Sequence, residues 1–92
     1  MSVVLAPEAV ADLTAAVDFL TERNPDAAAS LVDRAFRLFR RLDDREFDGP
    51  IQALTDGTTV RSWPMPPFRI YYQRQGHELL VLRVYHQRRL PL

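Results

Sequence analysis

The residues best suited to chemistry or to tight binding are the arginines in the last third of the chain. Residues 61–92 carry six arginines against Glu78 alone, a net charge of +5, whereas residues 1–60 carry six arginines against eleven acidic residues, a net charge of −5. Every strongly basic side chain is arginine, whose planar guanidinium pairs with phosphate or carboxylate and stacks on flat rings. A GC-rich coding bias would explain the missing lysine but not this asymmetry, which favours an anionic partner.

The basic segment ends in a strand that runs out into a tail. His86 can give or take a proton, and it can equally serve a structural role at the strand end. Arg88 and Arg89 suit an acidic protein surface or a nucleic acid, and a solvated C-terminus would explain them as well. The residues predicted to contact a target are Arg61, Arg69, Arg83, Tyr85, His86, Arg88 and Arg89.

No motif indicates a metal, a cofactor or a covalent intermediate. The chain has no cysteine and two histidines, so we expect neither a disulfide framework nor a zinc site. Its three glycines form no phosphate-binding loop, and Ser2, Ser30 and Ser62 stand next to no histidine. No apolar run approaches the roughly 20 residues of a membrane span, and no basic leader is present, so we expect a cytoplasmic protein without cofactors.

The elements along the chain predict one α+β domain spanning residues 1–92, because so short a chain builds a single core. Residues 2–5 form an apolar, β-branched run that predicts a short strand. Pro7 then suits the first turn of a helix that extends to about Arg23. The residues that recur at helical spacing and are predicted to face the core are Val10, Leu13, Val17 and Leu20.

A second helix is predicted to follow at once. Asn24 suits its N-cap and Pro25 its first position, so the two helices should form an antiparallel hairpin. Asp33 is placed to pair with Arg37 one turn later. The broad apolar face of this helix consists of Ala28, Leu31, Val32, Ala35, Phe36, Leu38, Phe39 and Leu42.

A loop and a proline-rich segment separate the helices from the last two strands. Residues 43–50 are polar and end in a Gly-Pro pair, which indicates a loop. Residues 59–63 have the composition of a strand. The prolines that follow, Pro64, Pro66 and Pro67, are predicted to prevent regular strand pairing and to form a stiff connection.

Residues 68–74 and 78–86 are predicted to form a hairpin of two inner strands. Strict alternation along the second strand places Leu79 and Val81 on the same face as Arg83. One face of the sheet should receive the helices. The other face is predicted to present Arg69, Tyr71, Arg83 and Tyr85. The predicted fold is thus a short N-terminal strand and an antiparallel helical hairpin, packed on a small and mainly antiparallel sheet.

Short motifs follow one another along the chain in a specific order. They are Ala6-Pro7-Glu8-Ala9 with Asp12-Leu13, Asn24-Pro25 with Ala27-Ala28, Val60-Arg61, Phe68-Arg69-Ile70-Tyr71-Tyr72, and Leu82-Arg83-Val84-Tyr85-His86 with Arg88-Arg89. Each motif is degenerate alone. Together, in order and spacing, they resemble the ParE branch of the ParE/RelE toxin superfamily over nearly the whole chain.

The resemblance implies the toxin of a type II toxin–antitoxin pair, silenced in a hetero-oligomer by a ParD-like antitoxin whose C-terminal segment wraps around it. The ParE branch implies inhibition of DNA gyrase by protein contact, which requires neither enzymatic activity nor direct binding of nucleic acid. The RelE branch implies instead a ribosome-dependent endoribonuclease that cuts mRNA. The branches share a fold, so the site must decide between them.

The site residues favour gyrase inhibition. Metal-free RNA cleavage needs proton transfer and a cation for the phosphate, and Arg61, Arg83 and His86 would have to serve. RelE-like nucleases commonly place lysines or a glutamate at the centre and an aromatic residue near the C-terminus, whereas this chain has no lysine and Gln87 follows His86. A third alternative is an inactive homologue that only binds its antitoxin, suggested by Ala6 in place of a helix-capping serine.

Two aromatic residues are candidate contacts for the antitoxin. At about 100° per residue, Phe19 falls almost opposite the core stripe of the first helix, so it needs cover from a loop or from a partner. Trp63 is expected to cover the end of the core, and it would be a binding anchor if it were exposed.

Overall fold

In the computed structural model, which describes residues 2–87, a helical hairpin packs on a sheet in the predicted α+β architecture. The elements are β1 (Val3–Leu5), α1 (Pro7–Arg23), α2 (Pro25–Asp43), β2 (Ile51–Ala53), β3 (Thr59–Met65), β4 (Phe68–Gln75) and β5 (Glu78–His86). The strand order is β1-β5-β4-β3-β2; β1 is parallel to β5, and the other neighbours are antiparallel. Neither helix of the described residues is long and apolar enough to cross a membrane.

Asn24 forms the boundary between the two helices, as predicted. Its Oδ1 accepts a hydrogen bond from the N–H of Ala27 at 3.2 Å and so caps α2. Pro25 occupies the first turn of α2, where its missing N–H costs no hydrogen bond. The predicted ion pair between Asp33 and Arg37 is also present.

The core lies between the helices and strands β3 to β5. Its buried residues are Ala9, Leu13, Leu31, Ala35, Phe39, Leu42, Met65, Ile70, Tyr72, Leu79, Val81 and Val84. The core prediction is wrong for Val10, which is 48% exposed, because Ala9 lies on the buried side of α1 in its place. Val32 and Phe36, on the apolar face of α2, are also exposed, since the buried face of this helix is narrower than its apolar face.

Strand β3 continues through Pro64, which corrects the predicted break. Pro64 pairs with Arg69 of β4, and only Pro66 and Pro67 form the turn between the strands. Strand β2 pairs with β3 no further than Arg61, so no strand of the described part of the chain pairs with the outer edge of β3 at Pro64, and the missing N–H costs no ladder hydrogen bond. Strand β2 was not predicted, because it is three residues long and exposed throughout.

A β-bulge between β4 and β5 decides which side chains face away from the helices. Tyr71 pairs with Arg83, but Tyr72 pairs with Val81, so Leu82 has no partner across the ladder. The bulge reverses the alternation of β5: Val81 is fully buried in the core, and Arg83 projects from the opposite face. Strict alternation, which predicts one face for both residues, is therefore wrong here.

Candidate binding surfaces

The sheet face that points away from the helices carries four of the predicted residues side by side. Arg69 pairs with Tyr85 and Tyr71 pairs with Arg83, and directly opposed residues project on the same side. The rings of Tyr71 and Tyr85 meet edge to face with centroids 5.8 Å apart, and the guanidinium carbon of Arg83 lies 4.3 Å from the ring centroid of Tyr85. Arg69 donates from Nε to the hydroxyl of Ser62 at 3.1 Å. We call Arg69, Tyr71, Arg83 and Tyr85 the arginine–tyrosine face.

Asp12 of helix α1 holds Arg83 in this position. Two guanidinium nitrogens donate to the two carboxylate oxygens at 2.8 and 3.0 Å, and the backbone N–H of Val84 donates to the same carboxylate at 3.0 Å. Strand β1 ends at Leu5, opposite Val81, so no strand of residues 2–87 covers the edge of β5 beyond that point, and Asp12 accepts the N–H of Val84 there. Hydrogen bonding to Asp12 raises the pKa of Arg83 above its ordinary value, so this side chain stays charged.

Arg61 lies on the other face of the sheet. It pairs with Tyr72, whose side chain is in the core, whereas Arg83 pairs with the neighbouring Tyr71. Successive residues of a strand project on opposite faces. The structure therefore does not bring Arg61 and Arg83 to one centre.

The loop between α2 and β2 packs against β3 and β4 and places Asp48 beside three partners. The hydroxyl of Tyr72 donates to Asp48, Nε of Arg74 donates to it at 3.3 Å, and Nε of Arg61 lies 3.5 Å from it. Arg61 also donates to the carbonyl of Gly49 at 2.8 Å. Burial by itself would raise the pKa of Asp48, but the hydrogen bonds from Tyr72 and Arg74 and the charges of both arginines hold it below its ordinary value.

The contacts around Asp48 depend on a close approach between the backbone of Gly49 and that of Ser62. A Cβ on Gly49 would lie 1.8 Å from the carbonyl oxygen of Ser62, so this position requires glycine. The N–H of Gly49 donates to the Tyr72 hydroxyl at 2.8 Å. Burial, together with the hydrogen bond to Asp48, raises the pKa of Tyr72 to about 12. The hydroxyl therefore stays protonated at neutral pH and keeps the loop attached to the sheet.

An open concavity of about 460 Å³ adjoins Asp48, and we call it the polar pocket. Strands β3 and β4 and the loop after α2 supply its walls. The polar side chains that line it include Arg45, Asp48, Thr59, Arg61, Gln73 and Arg74. This arrangement can bind an anion, because guanidinium groups are fixed donors for oxygen ligands.

A second concavity of about 710 Å³, here called the helical groove, lies between the helices and the ends of β4 and β5. Small side chains, those of Ala15, Ala16 and Ala27, form part of its walls. Phe19 also lines it and is 57% exposed, with the guanidinium carbon of Arg23 lying 3.7 Å from the ring centroid. The expectation that Phe19 lies outside the core is confirmed.

The remaining predicted residues are distributed over different places. His86 lines the helical groove, where its ring meets Phe68 edge to face at 5.6 Å between centroids. Trp63 is half-buried and stacks on Phe47 with centroids 4.3 Å apart, so it covers the core rather than standing beside Phe19. The predicted contacts Arg88 and Arg89 lie outside the described residues.

The sequence was compared with models of known protein families to identify the family to which this chain belongs. A family model described as the ParE toxin of type II toxin–antitoxin systems, parDE, matches residues 3–91. The chain belongs to this ParE toxin family. The resemblance inferred from the order of its motifs is thereby confirmed.

The fold of this ParE toxin is also shared with a solved structure. A chain from the chromosomal ParDE toxin–antitoxin system of P. aeruginosa matches it with a TM-score of 0.74 and 23% identity, covering 94% of this chain and 95% of that chain. At this identity the likeness shows a common fold. A search of curated proteins finds no match.

Sequence reasoning missed most residues of the toxin's polar pocket. Asp48 precedes Tyr72 by 24 positions and Arg74 by 26, and no periodic pattern connects them. The local signal was limited to the Gly49-Pro50 pair, which indicates a loop without showing where the loop packs. Within residues 2–87, no group of three or more His, Cys, Asp or Glu side chains is placed to hold a metal ion.

Proposed function

We propose that this toxin inhibits DNA gyrase by binding it, and that a ParD-like antitoxin neutralises the toxin in a hetero-oligomer. The observation that supports target binding is the arginine–tyrosine face. Arginine and tyrosine are among the residues that contribute most at protein interfaces. Because these four side chains already contact one another or their neighbours, binding should cost little side-chain entropy. Asp12 balances the charge of Arg83, so the unbalanced positive charge of this face is that of Arg69, which suits an acidic surface on the target.

The same geometry disfavours RNA cleavage. Catalysis would need a cation and a proton donor at the same phosphate. Arg61 and Arg83 lie on opposite faces of the sheet, and His86 lines the helical groove. We therefore propose that the toxin acts by binding and not as an enzyme, with Arg88 and Arg89 extending the contact.

A gyrase supercoiling assay with the purified toxin tests this proposal. The wild-type protein is expected to block supercoiling or to trap cleaved DNA. Arg69→Ala and Tyr85→Ala should each raise the concentration needed by roughly tenfold, the usual effect of losing an important interface side chain. Arg40→Ala, which removes an exposed arginine of α2, is the matched control and should behave like the wild type.

Other outcomes would identify the alternatives. No inhibition at a large molar excess of wild-type toxin would contradict gyrase as the target. Cleavage of mRNA in a mixture that contains ribosomes, abolished by His86→Ala or Arg83→Ala, would favour a RelE-like nuclease. Failure of both assays together with tight antitoxin binding would favour an inactive homologue.

We propose further that one amphipathic helix of the antitoxin lies in the helical groove. The alanines of the groove, Ala15, Ala16 and Ala27, are small enough to let a third helix approach both α1 and α2. Phe19 offers an exposed ring for an apolar side chain of that helix. Arg34 lines the same groove and favours acidic residues on the incoming helix.

Titration calorimetry with the antitoxin encoded beside the toxin tests the groove. Phe19→Ala should weaken binding by roughly tenfold, because the variant loses an exposed aromatic contact. Val10→Ala trims an exposed apolar residue of the same helix that does not line the groove, and it should bind normally. An equal loss in both variants, or no loss for Phe19→Ala, would place the antitoxin elsewhere.

A further inference from the structure

The polar pocket contains more positive charge than its internal contacts require. Arg45, Arg61 and Arg74 line it, and they face one carboxylate, that of Asp48. The hydrogen bonds and charges around Asp48 keep its pKa below the ordinary value, so the carboxylate is ionised at neutral pH. Three positive charges against one negative charge leave a net charge of +2 among the residues that line the pocket. One arginine would have been enough to balance Asp48.

Two of the guanidinium groups are fixed before any ligand arrives. The side chain of Arg74 is 13% exposed and donates through Nε to Asp48 at 3.3 Å. Arg61 uses Nε toward Asp48 and one terminal nitrogen for the carbonyl of Gly49. The Nη2 of Arg74 donates to the carbonyl of Phe47 and to Asp48, at 3.5 Å each. Among the contacts of residues 2–87, Nη2 of Arg61 and Nη1 of Arg74 are therefore the terminal nitrogens that remain for a ligand. Donors held in this way lose little entropy on binding.

Arg45 adds a third guanidinium at the same pocket. It stands on a backbone turn with a φ of +58°, its side chain is exposed, and within residues 2–87 it forms no ion pair. A third cation in a concave site raises the local positive potential and attracts anions. Holding the loop does not explain Arg45, because the ion pairs to Asp48 come from the other two arginines.

These features match the chemistry of phosphate. Guanidinium groups bind phosphate oxygens through charge-assisted, often paired hydrogen bonds, and a phosphate monoester carries about −1.5 to −2 charges at neutral pH. The pocket is open and has a volume of about 460 Å³, and Thr59 and Gln73 line it with further polar groups for a larger ligand. We infer that the polar pocket binds a phosphate group, carried by a free nucleotide or by a nucleic-acid strand. This inference does not depend on gyrase as the target, because the pocket and the arginine–tyrosine face have no residue in common.

The test is titration calorimetry of the full chain with inorganic phosphate, adenosine monophosphate and a short single-stranded oligonucleotide. Inorganic phosphate is expected to saturate one site. Arg45→Gln should weaken its binding by roughly tenfold, the effect of losing one charge-assisted hydrogen bond. Arg40→Gln removes the same charge from the exposed side of α2, outside the pocket, and should change the affinity by less than about twofold. Thermal unfolding gives an independent readout, since phosphate should stabilise the wild type more than Arg45→Gln.

The three probes also distinguish the source of the phosphate. Tighter binding of adenosine monophosphate than of phosphate would assign a nucleotide, and tighter binding of the oligonucleotide, again dependent on Arg45, would assign a nucleic-acid strand. The inference is overturned if no probe saturates, if Arg40→Gln weakens binding as much as Arg45→Gln, or if a dicarboxylate such as succinate binds as tightly as phosphate.

Discussion

Asp12 and Asp48 each hold arginines of the sheet in place, but only the site at Asp12 is balanced in charge. Asp12 receives two donors from a single arginine, Arg83, and one backbone N–H. Asp48 forms ion pairs with two arginines and accepts a hydrogen bond from a tyrosine hydroxyl, and a third arginine lines the adjoining pocket. The contact at Asp12 therefore closes a sheet edge, whereas the contacts at Asp48 leave positive charge for a ligand.

The two sites also differ in their access to water. The side chain of Asp12 is 17% exposed and that of Asp48 is 38% exposed. When a buried polar group loses its hydrogen-bond partner, no water replaces the partner, and the loss of stability is large. At a solvent-exposed site water forms a replacement hydrogen bond, and the loss of stability is smaller. We therefore expect changes at Asp12 to affect mainly stability and changes around Asp48 to affect mainly ligand binding, unless they displace the loop.

The largest effect on stability is expected from displacing the loop that carries Asp48. Gly49→Ala should cost about 3 kcal/mol or more, because the added Cβ would stand 1.8 Å from the Ser62 carbonyl oxygen. Urea unfolding followed by the fluorescence of Trp63 measures it. Gly57→Ala is the control: nothing lies within 4 Å of the added Cβ, so the strain comes from its φ of +88° and should cost about 1 kcal/mol. A smaller loss at Gly49 than at Gly57 would contradict the close approach of the loop.

The next largest effect is expected at Asp12. Asp12→Ala should lower the free energy of unfolding by about 2 kcal/mol, because Arg83 and the N–H of Val84 lose their shared acceptor. Asp12→Asn keeps an acceptor for the N–H and should cost less. Asp18→Ala, on an exposed position of the same helix, should stay within about 0.5 kcal/mol of the wild type. If Asp12→Ala were as mild as Asp18→Ala, Asp12 would not close the sheet edge.

The helical half of this fold could be predicted because its signals are local. Asn24 and Pro25 end one helix and begin the next within two positions. The β4–β5 hairpin turns at Gly76, whose φ of +60° suits glycine. In each case the residues that decide the structure are neighbours in the chain, so their types alone carry the information.

The candidate sites could be predicted only in part, because their contacts are distant in sequence. The charge asymmetry indicated the arginine-rich half, and the hairpin pattern placed Tyr71 and Arg83 on one face. Nothing in the spacing joins Arg83 to Asp12, 71 positions away. The bulge that leaves Leu82 unpaired also breaks the alternation on which the prediction of faces depends. The polar pocket was missed for the same reason, since local sequence predicts a loop but not the distant residues against which the loop packs.

A smaller effect is expected from the hydroxyl that ties Asp48 to the sheet. Tyr72→Phe should cost about 1 kcal/mol at neutral pH. The pKa of Tyr72 is raised from 10.0 to about 12, so the folded state favours the neutral hydroxyl. Its contribution is complete below pH 10 and is lost as the pH rises from 10 through 12.

Urea unfolding at a series of alkaline pH values, combined with tyrosinate absorbance, checks this prediction. The loss of stability between pH 10 and pH 12 should be smaller in Tyr72→Phe than in the wild type. Burial also raises the pKa of Tyr71, which is present in both proteins and should contribute equally to each. An identical alkaline loss in the two proteins would contradict the raised pKa of Tyr72, and with it the burial and the hydrogen bond to Asp48 that cause it.

The smallest effect is expected at acid pH from Asp48 itself. Its pKa is lowered from 3.8, so the folded state favours the carboxylate; the contribution is present above pH 3.8 and is lost as the pH falls through the folded-state pKa. Because the side chain is 38% exposed, this contribution should remain below about 1 kcal/mol. Asp48→Asn should reduce the acid loss in urea unfolding. A large acid loss that depends on Asp48 would mean that the carboxylate serves stability as Asp12 does, and the contrast between the two sites would fail.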